Sequence, residues 1–212
     1  MAEKRTIHLV DDEESIRRSV SFLLRTSGFA VETYASGADF LKVAPGVEPG
    51  CVLLDVRMPD MDGLEVQARM RDAGVALPVV VLTGHGDVTI AVRAMKGGAI
   101  DFLEKPFEKA ALLSSIAGAM EWLDHADKRL DEGAEAHVRI AALTVRERDV
   151  LEGLARGLPN KTIAYDLEIS PRTVEVHRAN LMIKLGVRSL SEVLRLAFAA
   201  GLPHDLPGGP VG

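Results

Sequence analysis

The chain has 212 residues, of which 47% are hydrophobic, and this excludes a wholly disordered protein while allowing one large or two small domains. Its formal net charge of −6 excludes a global basic field, so any contact with nucleic acid needs a local patch. A single cysteine excludes an intrachain disulfide, and no stretch approaches the roughly 18 apolar residues of a membrane span. We therefore expect a cytoplasmic protein with no membrane contact.

The first half of the chain alternates short apolar runs with stretches of helical periodicity. Strands are predicted at residues 6–10, 29–34, 51–54, 78–82 and 100–103. A helix ended by Gly28 follows the first strand, and later helices are predicted at residues 38–43, 64–71, 87–95 and 107–123. Five such units predict a doubly wound α/β domain with a five-stranded parallel sheet.

Polar residues follow the ends of four predicted strands, namely Asp11 with Asp12, Asp55, Thr83 and Lys105. Open α/β sheets bind ligands outside the carboxyl ends of their strands, so one crevice can gather all of these side chains. Taken alone, Asp55 would be explained as a carboxylate that caps a loop. The other residues make a binding site the better interpretation.

The chemistry of such a cluster follows from its charges. Three carboxylates held together repel one another, so a site that keeps them ionised needs a cation. Oxygen ligands without histidine or cysteine favour Mg²⁺, which commonly binds phosphate as well. A carboxylate can be the nucleophile in phosphoryl transfer, and because the chain has no Walker-type loop, the donor need not be ATP.

These motifs resemble the receiver domain of two-component response regulators, a flavodoxin-like domain, over about residues 5–123. The matching residues are Asp11-Asp12, Asp55-Val56-Arg57-Met58-Pro59, Asp62-Gly63, Thr83-Gly84 and Lys105-Pro106. The resemblance implies that Asp55 accepts a phosphoryl group from the phosphohistidine of a sensor histidine kinase.

The same resemblance implies roles for the residues around Asp55. Asp12, Asp55 and the main-chain carbonyl of Arg57 would bind Mg²⁺, and Asp11 would act partly through water. Lys105 and Thr83 would contact the phosphoryl oxygens. Phe102 would be an aromatic switch that follows Thr83, and the Lys105–Pro106 bond would be cis.

Helix-capping signals organise the rest of the chain. Residues 124–141 are charged and rich in alanine, which favours a mainly helical linker over the alternative of a flexible coil. Four helices are predicted between residues 142 and 201, opened by a capping box at Thr144, by Asn160, by Ser170 before a proline, and by a second capping box at Ser189. Residues 202–212, rich in proline and glycine, predict a disordered tail.

The middle two of these helices are joined by a turn at residues 168–170, which is short enough for a helix-turn-helix. Such a pair can be purely structural, so its geometry alone leaves DNA binding open. The second helix carries Thr173, Glu175, Val176, Arg178 and Ala179 in or near its N-terminal half, where side chains could reach a major groove.

Residues 142–201 resemble the helix-turn-helix domain of LuxR/NarL-type regulators, and the two halves together most resemble FixJ-type regulators. The matching motifs include Leu143-Thr144, Arg146-Glu147-Arg148, Asn160-Lys161, Ile169-Ser170, Thr173-Val174 and Lys184-Leu185. The resemblance implies that Glu175, Val176 and Ala179 approach bases and that Lys161, Arg172 and Arg178 approach phosphates. Glu175 departs from the lysine of many relatives, and an acid there would accept a hydrogen bond from a cytosine amino group.

We therefore expect a DNA-binding transcriptional regulator controlled by phosphorylation, and not an enzyme. Its expected partners are a sensor histidine kinase, promoter DNA and a second copy of the chain after phosphorylation, with RNA polymerase as a further candidate. Two alternatives remain at this stage. One is a Mg²⁺-dependent phosphatase with an aspartyl-phosphate intermediate, and the other is constitutive DNA binding with a vestigial receiver.

Overall fold

A computed structural model of the chain describes residues 5–84, 88–124 and 132–203. The chain divides near residue 126 into two compact units, an α/β unit followed by a helical unit. Among the helices within the described ranges, none is long and apolar enough to cross a membrane.

The first unit is built on a parallel sheet of five strands in the order β2-β1-β3-β4-β5, which confirms the predicted fold class. The strands are β1 (Thr6–Val10), β2 (Ala30–Tyr34), β3 (Gly50–Asp55), β4 (Val79–Thr83) and β5 (Asp101–Glu104). Every residue of β1, β3 and β4 is buried, because helices cover both faces of the sheet. This burial explains why these strands read as unbroken apolar runs.

The helices of this unit alternate with the strands as predicted. They are α1 (Glu14–Thr26), α2 (Gly37–Val43), α3 (Gly63–Asp72), α4 (Val88–Lys96) and α5 (Lys109–Asp124), with a short 3-10 helix at Ala44–Gly46. Residue 87, where the helix predicted at residues 87–95 begins, lies outside the described residues. The Lys105–Pro106 peptide bond is cis, as expected.

The strand order creates a switch point between β1 and β3. From β1 the chain passes to β2 on one side of the sheet, and from β3 it passes to β4 and β5 on the other side. A crevice therefore opens at the carboxyl ends of β1 and β3. Asp11 directly follows β1 and Asp55 is the last residue of β3, so both carboxylates lie at this crevice.

The second unit contains α6 (Glu132–Ala141), α7 (Val145–Ala155), α8 (Asn160–Asp166), α9 (Pro171–Leu185) and α10 (Leu190–Ala199). Thr144 opens α7 with a complete capping box, and the side chains of Ser170 and Ser189 cap α9 and α10. Pro159, and not Asn160, is the N-cap residue of α8, so the cap predicted at Asn160 is wrong. The short connection between α8 and α9 has the predicted position.

At the two ends of this unit, the core includes residues that were predicted to belong to the linker and to the tail. Helix α6 lies within the predicted linker, yet its Ala136 and Ile140 are buried in the core of the helical unit. Leu202 falls in the predicted tail, yet it is only 5% exposed and packs on the same core. Residues 125–131 and 204–212 lie outside the described residues. The predicted end of the first domain at residue 123 and the predicted start of the second at residue 142 stay predictions.

Candidate functional site

Lys105 joins two buried carboxylates at the carboxyl edge of the sheet. Its Nζ atom lies 2.7 Å from Asp11 Oδ2 and 2.7 Å from Asp55 Oδ1. The Asp11 side chain is fully buried and the Asp55 side chain is 8% exposed. The structure therefore brings together one residue from the end of β1, one from β3 and one that follows β5.

Burial and charge shift the pKa values of this cluster. Burial raises the pKa of the Asp55 carboxyl above its usual value; Lys105 opposes this effect, and the charges of Asp11 and Asp12 add to it. Burial also disfavours the charge on Lys105, but its hydrogen bonds to Asp11 and Asp55 prevail and raise the lysine pKa. Asp55 is thus a basic carboxylate beside a firmly protonated lysine, an arrangement suited to attack on an anionic electrophile.

The backbone around Asp55 is held by close contacts between neighbouring loops. The amides of Gly63 and Val56 donate to the carbonyls of Val56 and Leu82 at 2.9 and 3.0 Å, respectively. A Cβ atom on Gly63 would lie 2.2 Å from the Asp55 carbonyl oxygen, so only glycine fits where α3 begins. The Asp62 side chain caps α3 by accepting from Glu65. The Asp62-Gly63 motif therefore shapes the loop behind Asp55.

Arg17 is a site residue that was not predicted from the sequence. Its Nη1 atom donates to the main-chain carbonyls of Asp11 and Asp12, each at 2.7 Å, and Asp11 Oδ1 accepts from the Glu13 amide at 2.9 Å. These contacts fix the turn that carries both acids. The one sequence signal for Arg17 is its position in the first turn of the helix that follows the acidic run.

Thr83 and Phe102 lie on adjacent strands. Thr83 is buried at the end of β4, and its hydroxyl donates to the Gly84 carbonyl at 3.3 Å. Phe102 is partly buried in β5 and pairs in register with Val81, two residues before Thr83. Because side chains alternate along a strand, Thr83 and Phe102 lie on the same face of the sheet as diagonal neighbours.

Oxygen ligands suited to a hard cation lie near Asp55, although their side chains do not form a complete metal-binding group in the described residues. In the described ranges, no three histidine, cysteine or carboxylate side chains form a metal-binding group. Asp12 is partly exposed beside the cluster, and Arg57 lies on the exposed loop that follows β3. Mg²⁺ needs only one or two carboxylates, with carbonyl, water and phosphate oxygens completing its shell, and this donor set fits it.

The exposed face of α9 carries most of the residues predicted to contact DNA. Arg172, Glu175, Val176 and Ala179 are exposed there, and Lys161 is exposed on α8. Two predicted contacts are already engaged within the protein. The Thr173 hydroxyl lies 2.7 Å from Ser170 Oγ, and Arg178 Nη1 donates to Asn160 Oδ1 at 2.9 Å.

An ion pair between a buried carboxylate and an exposed lysine fixes the far end of α9. Glu147 in α7 is buried, and its Oε2 atom accepts hydrogen bonds from Lys184 Nζ at 2.7 Å and from the Thr144 amide at 2.8 Å. These contacts, first that with Lys184, lower the pKa of Glu147 from 4.5 to about 2. The ion pair was not predicted, because nothing in the local pattern links residues 37 positions apart.

Comparisons with known proteins agree with both halves of the structure. Residues 7–117 match the family described as "Response regulator receiver domain", and residues 141–197 match "Bacterial regulatory proteins, luxR family". The chain is 49% identical over 196 residues to the transcriptional regulatory protein FixJ of Rhizobium meliloti, covering 92% of this chain and 96% of that protein. FixJ of Azorhizobium caulinodans is 48% identical over 206 residues, covering 97% of this chain and 98% of that protein.

A solved structure shows the same likeness along nearly the whole chain. Full-length FixJ from B. japonicum is 46% identical, with a TM-score of 0.58, and the match covers 95% of this chain and 99% of that one. These relatives are transcription regulators and not enzymes. Members of such systems receive their signal from a sensor kinase and bind DNA. The chain therefore belongs to the FixJ-type response regulators, the two-component transcriptional regulators that join a receiver domain to a LuxR-family helix-turn-helix DNA-binding domain.

Proposed function

We propose that Asp55 is the phosphoryl acceptor and that its phosphorylation switches the chain to a dimer that binds promoter DNA in the cytoplasm. The observation that carries the proposal is the contact of Lys105 with both Asp11 and Asp55 at the switch point of the sheet. One cation and several carboxylate oxygens meet there around a residue whose pKa is raised.

In the transfer step, an Asp55 oxygen attacks the phosphorus atom of a phosphohistidine on the kinase. The O–P bond to Asp55 forms as the P–N bond to the histidine breaks, and the histidine nitrogen keeps the electron pair of the broken bond. Lys105 stabilises the negative charge that spreads over the phosphoryl oxygens. Its ammonium group is already at the acceptor, so little rearrangement is required.

Mg²⁺ fits the neighbouring oxygen atoms of this site. Asp12, Asp55 and the main-chain carbonyl of Arg57 would hold it, and Asp11 would act partly through water. When bound, the ion supplies charge neutralisation at the phosphoryl oxygens. The hydrogen bonds from Arg17 to the Asp11 and Asp12 carbonyls support the turn that would carry two of these ligands.

The switch would run from Thr83 to Phe102. The hydrogen bond from the Thr83 hydroxyl to the Gly84 carbonyl is long, at 3.3 Å, so a phosphoryl oxygen on Asp55 offers this hydroxyl a stronger, charged acceptor. Movement of Thr83 toward that oxygen opens space for its diagonal neighbour Phe102, which then turns inward. The surface that changes is therefore the one formed by β4 and β5 and the helices beside them.

The DNA-binding half would use the exposed face of α9. Arg172 and Val176 lie on that face, and Lys161 lies on α8, where a basic group can approach a phosphate. A single domain with so few basic residues should bind weakly, so two copies on two half-sites raise the affinity. RNA polymerase is a further candidate partner at the promoter.

Intact-mass spectrometry with acetyl phosphate and Mg²⁺ tests the first step. The wild-type chain should gain one phosphoryl group, and Asp55→Asn should gain none. Asp72→Asn serves as the control, because Asp72 is an exposed carboxylate at the end of α3, and it should behave like wild type. Chelation of Mg²⁺ with EDTA should abolish the gain. Modification of Asp55→Asn to the wild-type extent would refute Asp55 as the acceptor.

A further inference from the structure

Arg178, which the sequence predicts to approach a phosphate, already makes a hydrogen bond within the protein. It is partly buried, and its Nη1 atom donates to Asn160 Oδ1 at 2.9 Å, which links the middle of α9 to the first residue of α8. The two residues are 18 positions apart, so this contact spans the two helices of the helix-turn-helix. The guanidinium group is therefore oriented before any DNA arrives.

Glu175 is the charged neighbour of this guanidinium on α9. It lies one turn before Arg178, and residues three apart on a helix have adjacent side chains. Burial lowers the pKa of Arg178, and the negative charge of Glu175 opposes that effect. Glu175 is exposed on the face of α9 predicted to read bases.

The chemistry of the two side chains explains why this arrangement matters. An arginine that is able to enter the major groove donates to guanine, whereas a carboxylate accepts from the amino group of cytosine. A carboxylate close to DNA phosphates is repelled unless a cation accompanies it. An arginine held by Asn160, three residues after Glu175 on the same helix, supplies that cation.

We propose that Arg178 is a positioning residue for base readout: held by Asn160, it keeps a positive charge next to Glu175 on α9 and compensates the charge of that carboxylate, so that α9 selects cytosine at the base pair that Glu175 faces. The proposal rests on the DNA binding proposed above and adds to it a determinant of sequence preference. Asn160, which does not cap its helix, acquires a role in specificity through its side-chain oxygen.

The test is a selection from a pool of randomised DNA duplexes, using the full-length chain with acetyl phosphate and Mg²⁺. Wild type should enrich a site with cytosine at the position read by Glu175. Glu175→Gln identifies that position, because an amide should shift its preference toward adenine. Asn160→Ala should lower the preference for cytosine by about tenfold, the order of one lost base contact.

Conservative variants separate positioning from folding and from phosphate contact. Asn160→Asp keeps the acceptor oxygen for Arg178, so it should retain the cytosine preference even where its added charge lowers affinity for every sequence equally. In an Arg178→Ala background, Asn160→Ala should cause no further loss of preference. Asn160→Ala should also leave the salt dependence of binding unchanged, because it removes no charge.

The outcomes distinguish this inference from the proposed function. If wild type enriches no sequence, the proposed DNA binding fails. If wild type enriches a site but Glu175→Gln leaves its base preferences unchanged, the role given to Glu175 is overturned. If Glu175→Gln moves the preference but Asn160→Ala keeps the wild-type preference, only the positioning role of Arg178 is overturned.

Discussion

Lys105 and Asp55 form a largely buried ion pair at the carboxyl edge of the sheet, with Nζ and Oδ1 2.7 Å apart. The same ammonium group contacts Asp11 at an equal distance, so a single lysine holds the acids of β1 and β3 together. This relationship places the positive charge where a phosphoryl group on Asp55 would need it.

Replacing Lys105 should slow phosphorylation without unfolding the receiver. In Lys105→Met the charge that lowers the Asp55 pKa is gone, so that pKa should rise further, and stabilisation of the phosphoryl oxygens is lost as well. We expect the phosphorylation rate with acetyl phosphate to fall by about a hundredfold, the usual effect of removing one preorganised donor. Lys109→Met, at an exposed position in the first turn of α5, is the matched control and should react at the wild-type rate. Equal rates for the two variants would contradict the role of Lys105.

Two glycines of the receiver should respond in opposite ways to alanine. In Gly63→Ala the new Cβ would meet the Asp55 carbonyl at 2.2 Å, so the loop must move, and we expect a loss of about 1–3 kcal/mol in the free energy of unfolding. Gly118 lies in α5, and apart from its own helix backbone no atom lies within 4 Å of the new Cβ in Gly118→Ala, so this change should stabilise the chain by up to about 1 kcal/mol. Urea denaturation followed by circular dichroism measures both. A neutral Gly63→Ala would show that the contact at Asp55 is not tight.

The Glu147–Lys184 pair should make the stability of the helical unit depend on acid. Because folding lowers the Glu147 pKa from 4.5 to about 2, its contribution is fully present above pH 4.5 and is lost as the pH falls toward 2. Because the Lys184 side chain is 39% exposed, solvent screens the pair, and Glu147→Gln should cost about 1 kcal/mol at pH 7 and progressively less below pH 4.5. Denaturation at several pH values measures the difference from wild type.

Glu135→Gln provides the control for this pH dependence. Glu135 forms an exposed pair with Arg139 on α6, and such pairs contribute little to stability. Its substitution should change the free energy of unfolding by less than about 0.5 kcal/mol at every pH. A difference between wild type and Glu147→Gln that stays constant from pH 7 to pH 2 would contradict the assigned ion pair.

Helix α6 should behave as part of the helical unit in solution. Ile140 is 8% exposed and packs on the core of that unit, so Ile140→Ala should lower its free energy of unfolding by about 2–4 kcal/mol. Val138 on the same helix is 73% exposed, and Val138→Ala should change stability little. Thermal unfolding of the two full-length variants measures the contrast, and equal melting temperatures would indicate that α6 does not pack as described.

The fold and the cluster around Asp55 could be predicted from local sequence patterns and from one rule of sheet topology. Unbroken apolar runs predicted the buried strands, and the rule that parallel strands end at one edge predicted that Asp11, Asp55 and Lys105 would meet. The cap at Thr144 was readable because a capping box is complete within four residues. Each of these features depends on neighbours in the chain or on a general rule of topology.

Other features depend on side chains that are distant in sequence. Asn160 has the residue type of an N-cap, but its side-chain oxygen is occupied by Arg178 from the next helix. The charged composition around α6 suggested a solvated helix, yet Ala136 and Ile140 are enough to bury one face of it. The contact of Arg17 is closer in sequence, five and six residues after Asp12 and Asp11, but it forms only when the chain adopts the helical turn that begins at Glu14.

The central claim is that phosphorylation of Asp55 controls dimerisation and DNA binding. The most direct measurement is the solution mass of the chain together with its affinity for a selected DNA site, for wild type and Asp55→Asn, with and without acetyl phosphate and Mg²⁺. We predict that the phosphodonor doubles the mass of the wild-type particle and raises its DNA affinity, and that it changes neither property of Asp55→Asn. Equal mass and equal affinity for wild type in the two conditions would contradict the claim and would leave constitutive DNA binding as the explanation.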